Sequence, residues 1–118
     1  MKTVSALTLL AALLACAHAQ ADGPAGSAEK GKALFMKNMC YTCHGTVGQG
    51  GERGAGPKLA PNPFPFVAFE MQLRSPRGVM PRFPQEYVSD QELADIYQYV
   101  ASQPAGPKAD QIPLLKGM

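Results

Sequence analysis

Cys40, Cys43 and His44 stand in the run Cys40-Tyr41-Thr42-Cys43-His44. On a helical turn the two thiols lie at i and i+3, and the imidazole lies at i+4 from Cys40. All three then project from one face. Two thiols so placed can each bond one vinyl edge of a porphyrin, while the imidazole reaches the iron. The CxxCH spacing is the attachment pattern of that chemistry. Plainer readings of the same residues are a CxxC disulfide, a zinc half-site and a redox dithiol. A zinc site needs two further ligands, and no Cys or His follows His44. A thioredoxin-like dithiol belongs in a βαβ pattern, and nothing here alternates in that way. Covalent haem is therefore the preferred reading, with one haem c bonded through Cys40 and Cys43.

The N-terminal residues suit that chemistry. Lys2 precedes an apolar run over residues 4–17, followed by Ala17-His18-Ala19. This is a charged start, a short apolar stretch and an A-x-A cleavage site, so residues 1–19 read as a cleaved signal peptide. The apolar run is shorter than the roughly 20 residues of a membrane-spanning helix. The plainer alternative is a retained N-terminal anchor. Cleavage after Ala19 removes Cys16 and His18, leaving two cysteines for haem and one histidine. No thiol is then left over in an oxidising compartment. A competing cut exists, because Leu13-Leu14-Ala15-Cys16 resembles a lipobox that would make Cys16 a lipidated first residue. The expected location is periplasmic, with lipid anchoring through Cys16 as the alternative. No membrane span is expected after processing.

Without those 19 of 118 residues the chain is long enough for one small domain with a modest core. A bonded haem would staple such a core. Of 11 Lys and Arg against 9 Asp and Glu, one Lys falls in the leader, leaving a net charge of +1. That balance does not describe a nucleic-acid binder.

The elements that must position the motif follow from caps and breakers. Residues 20–27 are small and polar and read as a flexible leader. Ser27 can cap a helix from residue 28 to about 41, with Gly31, Leu34 and Phe35 on its apolar side. Residues 45–56 include Gly45, Gly48, Gly50, Gly51, Gly54 and Gly56, which makes a loop. Four prolines between 57 and 65 exclude a continuous helix. Residues 66–74 suit a short helix carrying Phe66, Phe69, Met71 and Leu73. Residues 76–84 return to loop. Ser89-Asp90-Gln91-Glu92 resembles a capping box opening a helix to about residue 102, with Leu93, Ile96, Tyr97, Tyr99 and Val100 as its apolar set. Residues 104–118 read as an extended tail carrying Ile112, Leu114 and Leu115. The expected fold class is all-α, three to four helices around one covalent haem in a domain over residues 28–103.

A haem iron with one histidine has a sixth position to fill, and the residue there decides the chemistry. No second histidine survives cleavage. The methionines that remain after cleavage are Met36, Met39, Met71, Met80 and Met118. Met36 and Met39 are expected on the helix that bears the CxxCH, on the histidine's side of the haem. Met71 reads as core filler, and Met118 ends the tail. Met80 precedes Pro81, which presets the backbone and lacks an N–H. Met80 is the preferred ligand; its alternative is a loop methionine packed on the surface.

With these residues assembled, residues 28–102 resemble the class I c-type cytochromes. The resemblance rests on Gly31-x-x-x-Phe35, Cys40-x-x-Cys43-His44, Gly56-Pro57-x-Leu59, Met80-Pro81 and Tyr99-Val100, in that order. It implies that the first and last helices cross where Gly31 and Phe35 meet Ile96 and Tyr99. It implies too that the Pro57 carbonyl accepts from His44 Nδ1–H, as an axial histidine requires to hold its tautomer, and that Leu59 packs on the histidine side of the haem. The expected haem-site set is Cys40, Cys43, His44, Pro57, Leu59 and Met80, with His44 and Met80 on the iron. There is no tryptophan of the kind some relatives place near a propionate. Arg74, Arg77 and Arg82 are the basic residues nearest Met80. Any of them can serve a propionate, rim a docking surface or lie on a solvated loop face.

The expected function is one-electron transfer without catalysis, from a periplasmic dehydrogenase to an oxidase or another cytochrome of the respiratory chain. The alternatives are a dedicated cytochrome subunit of a dehydrogenase complex, and a haem enzyme or sensor with a vacant distal position.

Overall fold

The structure is a computed structural model that describes residues 23–51, 55–61 and 63–115. The cleavage site after Ala19, the alternative at Cys16, and Met118 lie outside the described residues.

Helix α1 spans Ala28–Lys37. Ser27 caps it in extended geometry, its hydroxyl accepting from Lys30 N–H at 3.3 Å. Glu29 in the first turn and Lys37 in the last complement the helix dipole. The helix stops four residues before the expected end. Asn38 turns its backbone N–H and its side-chain amide back onto the Leu34 carbonyl, both at 2.9 Å. Met39 then takes φ 59°, in the left-handed region that a helix cannot continue through. A separate turn, α2, follows over Tyr41–His44 and is closed by Gly45 at φ 74°. Met36 and Met39 are thus not on the helix of the motif; a reversal of the backbone separates them from it.

Helix α3 spans Phe66–Arg74 and α4 spans Asp90–Ala101. The capping box of α4 is complete: Glu92 N–H donates to Ser89 Oγ at 3.3 Å, and Ser89 N–H donates to Glu92 Oε2 at 2.8 Å. The Ser89 backbone N–H, and then the Ser89 hydroxyl, which donates to the same oxygen at 3.0 Å, hold the Glu92 carboxyl below the usual carboxylate range. Among the described residues there is no strand, and the fold is all-α.

The core sits where α1 crosses α4. Phe35, Leu93, Ile96 and Val100 are fully buried there, with Val88 just ahead of α4. Gly31 lies at the crossing, and a Cβ at that position would overlap the Asp95 carbonyl. The two backbones approach this closely only because residue 31 has no side chain. One turn on, the Phe35 and Tyr99 rings meet at 5.5 Å between centroids. Phe66 and Phe69 of α3 pack edge-on against Tyr97 at 5.2 and 5.3 Å. On α3 the buried residues are Phe69 and Leu73. Met71, expected as core filler, is 62% exposed. At 100° per residue it points away from the face that Phe69 and Leu73 bury.

Residues 23–27, read as part of a flexible leader, are hydrogen-bonded to α4. Ser27 N–H donates to Asp95 Oδ1 at 2.7 Å, and Gln91 Nε2 donates to the Ala25 carbonyl at 3.0 Å. The tail contains two short 3-10 turns, Ala109–Gln111 and Pro113–Leu115, rather than a simple extended arm.

Candidate functional site

The turn α2 and the proline-rich segment after the glycine loop form one wall of a cavity of about 650 Å³. That size lies within the range of pockets that enclose a cofactor, about 300–1,000 Å³. Cys40, Cys43, His44, Pro57 and Leu59 all line it, and so does Met80 from the loop after α3. All six residues expected at the haem site are thus brought together around one space. Much of the remaining lining is apolar, with Phe69 and Leu73 from α3, Phe83 beyond Met80, and Ile96 from α4.

His44 is buried, and its Nδ1 lies 2.9 Å from the Pro57 carbonyl. A carbonyl only accepts, so Nδ1 carries the proton and Nε2 keeps a lone pair. That is the tautomer a metal-binding imidazole needs. The loop makes this bond possible by wrapping the motif closely. Gly50 N–H donates to the His44 carbonyl at 2.9 Å. A Cβ on Gly56 would press on the Cys43 carbonyl and come within 3.0 Å of His44 Nδ1. From α4, Tyr99 Oη donates to the Thr46 carbonyl at 2.7 Å and pins the start of the same loop.

The two thiols differ. Cys43 is exposed and Cys40 is half-buried. Burial pushes the Cys40 thiol up to about 11, against a smaller lowering by a backbone hydrogen bond. A redox dithiol works through a depressed pKa, so Cys40 is poorly suited to that role. Zinc is no better served: among the described residues no three of His, Cys, Asp or Glu are grouped to hold a metal ion.

The Met80 loop is tied to α3 from several directions. Phe83 N–H donates to the Leu73 carbonyl at 2.9 Å, and Arg82 Nε donates to the Arg74 carbonyl at 2.9 Å. Arg74 closes the clasp. Its Nη1 donates to the carbonyls of Phe83 at 2.9 Å and Val88 at 2.6 Å, while Nη2 meets Asp90 Oδ1 at 2.7 Å. Arg74 is therefore not a free rim charge; it holds the loop against α3 and the start of α4. Arg77 does line the cavity, and among the described residues it is the one Lys, Arg, Asp or Glu that does. Arg82 is exposed.

Gln72 was not singled out by sequence. Its side-chain Nε2 lies 3.6 Å from Met80 Sδ. A lone glutamine in an amphipathic helix carries no signal of such a role.

The donor set, an oriented imidazole and a thioether facing one apolar cavity beside two thiols, fits a covalently held haem. The family model described as "Cytochrome C oxidase, cbb3-type, subunit III" matches residues 26–100. The chain belongs to the class I c-type cytochromes. This cytochrome is 37% identical over 93 residues to the "4-cresol dehydrogenase [hydroxylating] cytochrome c subunit" of Pseudomonas putida. The match covers 79% of this chain and 74% of that protein. No solved structure matches the chain. Membership makes the cytochrome an electron-transfer protein rather than an enzyme, and the family implies covalently bound haem c. No helix among the described residues is long and apolar enough to cross a membrane.

Proposed function

We propose that this cytochrome carries single electrons in the periplasm, on one haem bonded through Cys40 and Cys43 with His44 and Met80 on the iron. The observation that carries the reading is the convergence of His44, its tautomer set by the Pro57 carbonyl 2.9 Å away, and Met80 on one cavity. When bound, the haem supplies an iron that cycles between its ferrous and ferric states. The chain's own residues do the rest. His44 and Met80 would both hold the iron, which would leave no coordination site for a substrate. The soft methionine sulfur favours the ferrous state and raises the potential. The apolar lining disfavours the additional charge of the ferric state, which acts in the same direction. Arg77, charged and at the cavity, is the propionate partner we assign among the three arginines. Arg82 belongs to the outer rim.

The proposed donor is a dehydrogenase, and the acceptor an oxidase or another cytochrome of the respiratory chain. The signal peptide over residues 1–19, the haem domain over 28–103 and the tail over 104–118 are parts of the same proposal. The test is spectroscopic. Haem in the mature protein should resist extraction by acidified acetone, and the ferric protein should show the weak long-wavelength band of an iron–thioether bond. Met80→Ala should abolish that band and open the reduced iron to carbon monoxide. Extraction of the haem, or survival of the band in Met80→Ala, would overturn the assignment. Carbon monoxide binding to the reduced wild type at neutral pH would favour a sensor or enzyme with a vacant distal position.

A second reading, a dedicated subunit of a dehydrogenase complex, is favoured by one feature besides the relative's name. Phe64 and Val79 at the cavity mouth are 65% and 97% exposed, and Val67 and Met71 on the outer face of α3 are 66% and 62% exposed. Large apolar side chains left in water beside a redox centre suit a lasting interface better than a passing encounter. Co-purification with a large dehydrogenase subunit would establish it.

A further inference from the structure

Three aromatic rings join the haem cavity to the outer surface of α3. Phe69 is buried and lines the cavity. Its ring meets Tyr97 of α4 edge-on, at 5.3 Å between centroids. Tyr97 is buried too, and meets Phe66 edge-on at 5.2 Å. Rings at these separations are in contact. Phe66 is the first residue of α3 and only half-buried. Gly23 of the N-terminal segment lies against it, where a Cβ would stand 3.0 Å from the ring. Next to Phe66 in the chain begins the exposed apolar face of Val67 and Met71. A partner seated on that face would have α3 between itself and the cavity. A passing partner reaches the haem at the mouth; one fixed on α3 needs a way through the protein.

We propose that Phe66, Tyr97 and Phe69 form an electron port, separate from the cavity mouth, through which a dehydrogenase docked on the outer face of α3 reduces the haem. The proposal rests on the reading of this cytochrome as a dehydrogenase subunit. The donor belongs on this side because the apolar face that suits a lasting interface is the one at which the rings emerge. Docking there leaves Phe64, Val79 and Met80 at the mouth free for the acceptor. One electron leaves the reduced cofactor of the dehydrogenase and the ferric iron gains it. No bond forms or breaks, and the rings are neither oxidised nor reduced. They act as a bridge. Electronic coupling falls more steeply across empty space than across packed atoms, and three rings in contact leave no gap between the α3 surface and the cavity.

The test uses the mature holoprotein, whose Cys40 and Cys43 are taken up by the haem, so that one new thiol can carry a ruthenium polypyridyl photoreductant. Val67→Cys puts the label beside Phe66, and Val79→Cys puts it at the mouth. A laser flash releases one electron, and the haem absorbance reports its arrival. With the label at 67, Phe66→Ala should slow injection severalfold, and Phe66→Tyr, which keeps a ring, should restore it. With the label at 79, Phe66→Ala should leave injection unchanged, and the reduction potential should stay at the wild-type value. Phe66→Leu, shorter than the ring and leaving a gap toward Tyr97, replaces Phe66→Ala should the latter not hold its haem. Injection from 67 that is indifferent to Phe66 overturns the port. Equal slowing from 67 and 79 overturns it as well, because the substitution would then act on the haem as a whole. Failure of the subunit reading looks different: injection from 67 would still depend on Phe66, while no dehydrogenase co-purifies, which removes the partner and leaves the route.

Discussion

His44 Nδ1 and the Pro57 carbonyl oxygen stand 2.9 Å apart, and the glycine before that proline leaves no room for anything else between the loop and the motif. The acceptor is backbone, so no side-chain change at 57 removes it directly. Gly56 is the lever, because a methyl group there would push on Cys43 and on the imidazole together. Gly56→Ala should cost about 1–3 kcal/mol of holoprotein stability, as overpacking of a closely packed site does. It should also lower the potential or broaden the redox transition, because the ring loses its fixed orientation. Denaturant unfolding with potentiometry checks both; a variant with wild-type values would show that the loop yields freely.

Gly31 offers a sharper sign. In an exposed helix, Gly→Ala stabilises by about 1 kcal/mol. At this crossing the added Cβ meets the Asp95 carbonyl of α4, and the helices must move apart around the Phe35–Tyr99 contact. Gly31→Ala should therefore destabilise, by about 1–3 kcal/mol. Thermal unfolding followed at the haem band measures it, and a raised midpoint would mean that the crossing is looser than its packing indicates.

These two sites also show what the sequence made legible. The CxxCH run and Met80 stood out as candidates because each is tied to a ligand chemistry, whereas Pro57 entered through the family resemblance; the structure brings all of them to one cavity. Helices α3 and α4 were readable from their breakers and the Ser89–Glu92 box. The end of α1 was not, because its left-handed cap falls on Met39, a residue type that does not mark one; Cys40 N–H donates to the Phe35 carbonyl and Met39 N–H to the Met36 carbonyl, both at 3.1 Å. Arg74 was misread for a related reason. Its three partners, Phe83, Val88 and Asp90, lie 9 to 16 residues away, and proximity to Met80 in sequence says nothing about them. Met71 fits a helical apolar set by type but lies on the face that α3 leaves outside.

The α4 cap gives a pH dependence. Glu92 is held below the usual carboxylate range, chiefly by the Ser89 backbone N–H and then by the Ser89 hydroxyl. A carboxyl lowered on folding contributes stability above its unfolded value, about pH 4.3. That contribution fades as pH falls through the lower folded value. Glutamine can still close a capping box but does not titrate. The stability difference between wild type and Glu92→Gln should thus be greatest near neutrality and shrink below about pH 4. It should remain under about 1 kcal/mol, since the group is exposed to solvent. A difference that stays constant from pH 7 to 3, in denaturant titrations, would remove the carboxylate from the cap.

The last prediction separates a mobile carrier from a fixed subunit at the cavity mouth. Electron transfer weakens steeply with distance, so a partner must approach where the haem is least covered, beside Phe64, Val79 and Met80. Passing redox encounters bury little area, below about 1,200 Å², and charges on their rim act mainly on association rate. Arg82, two residues beyond Met80, is exposed, and its Nε is held by the Arg74 carbonyl. For a mobile carrier, Arg82→Glu should slow reduction by the native donor at low salt and leave the potential unchanged. The deficit should close as salt rises toward about 0.5 M, where the screening length falls to a few ångströms. Arg77→Glu should behave differently, shifting the potential as well, because it lies against the cavity itself. For a fixed subunit, the decisive pair is Val67→Asp and Met71→Asp. A charge on either exposed apolar position should release the cytochrome from its dehydrogenase on gel filtration without altering its spectrum, whereas Arg82→Glu should not. Salt-sensitive kinetics with no stable complex would assign the mouth to encounters, and loss of a stable complex in the α3 variants would assign the outer face of α3 to a subunit interface.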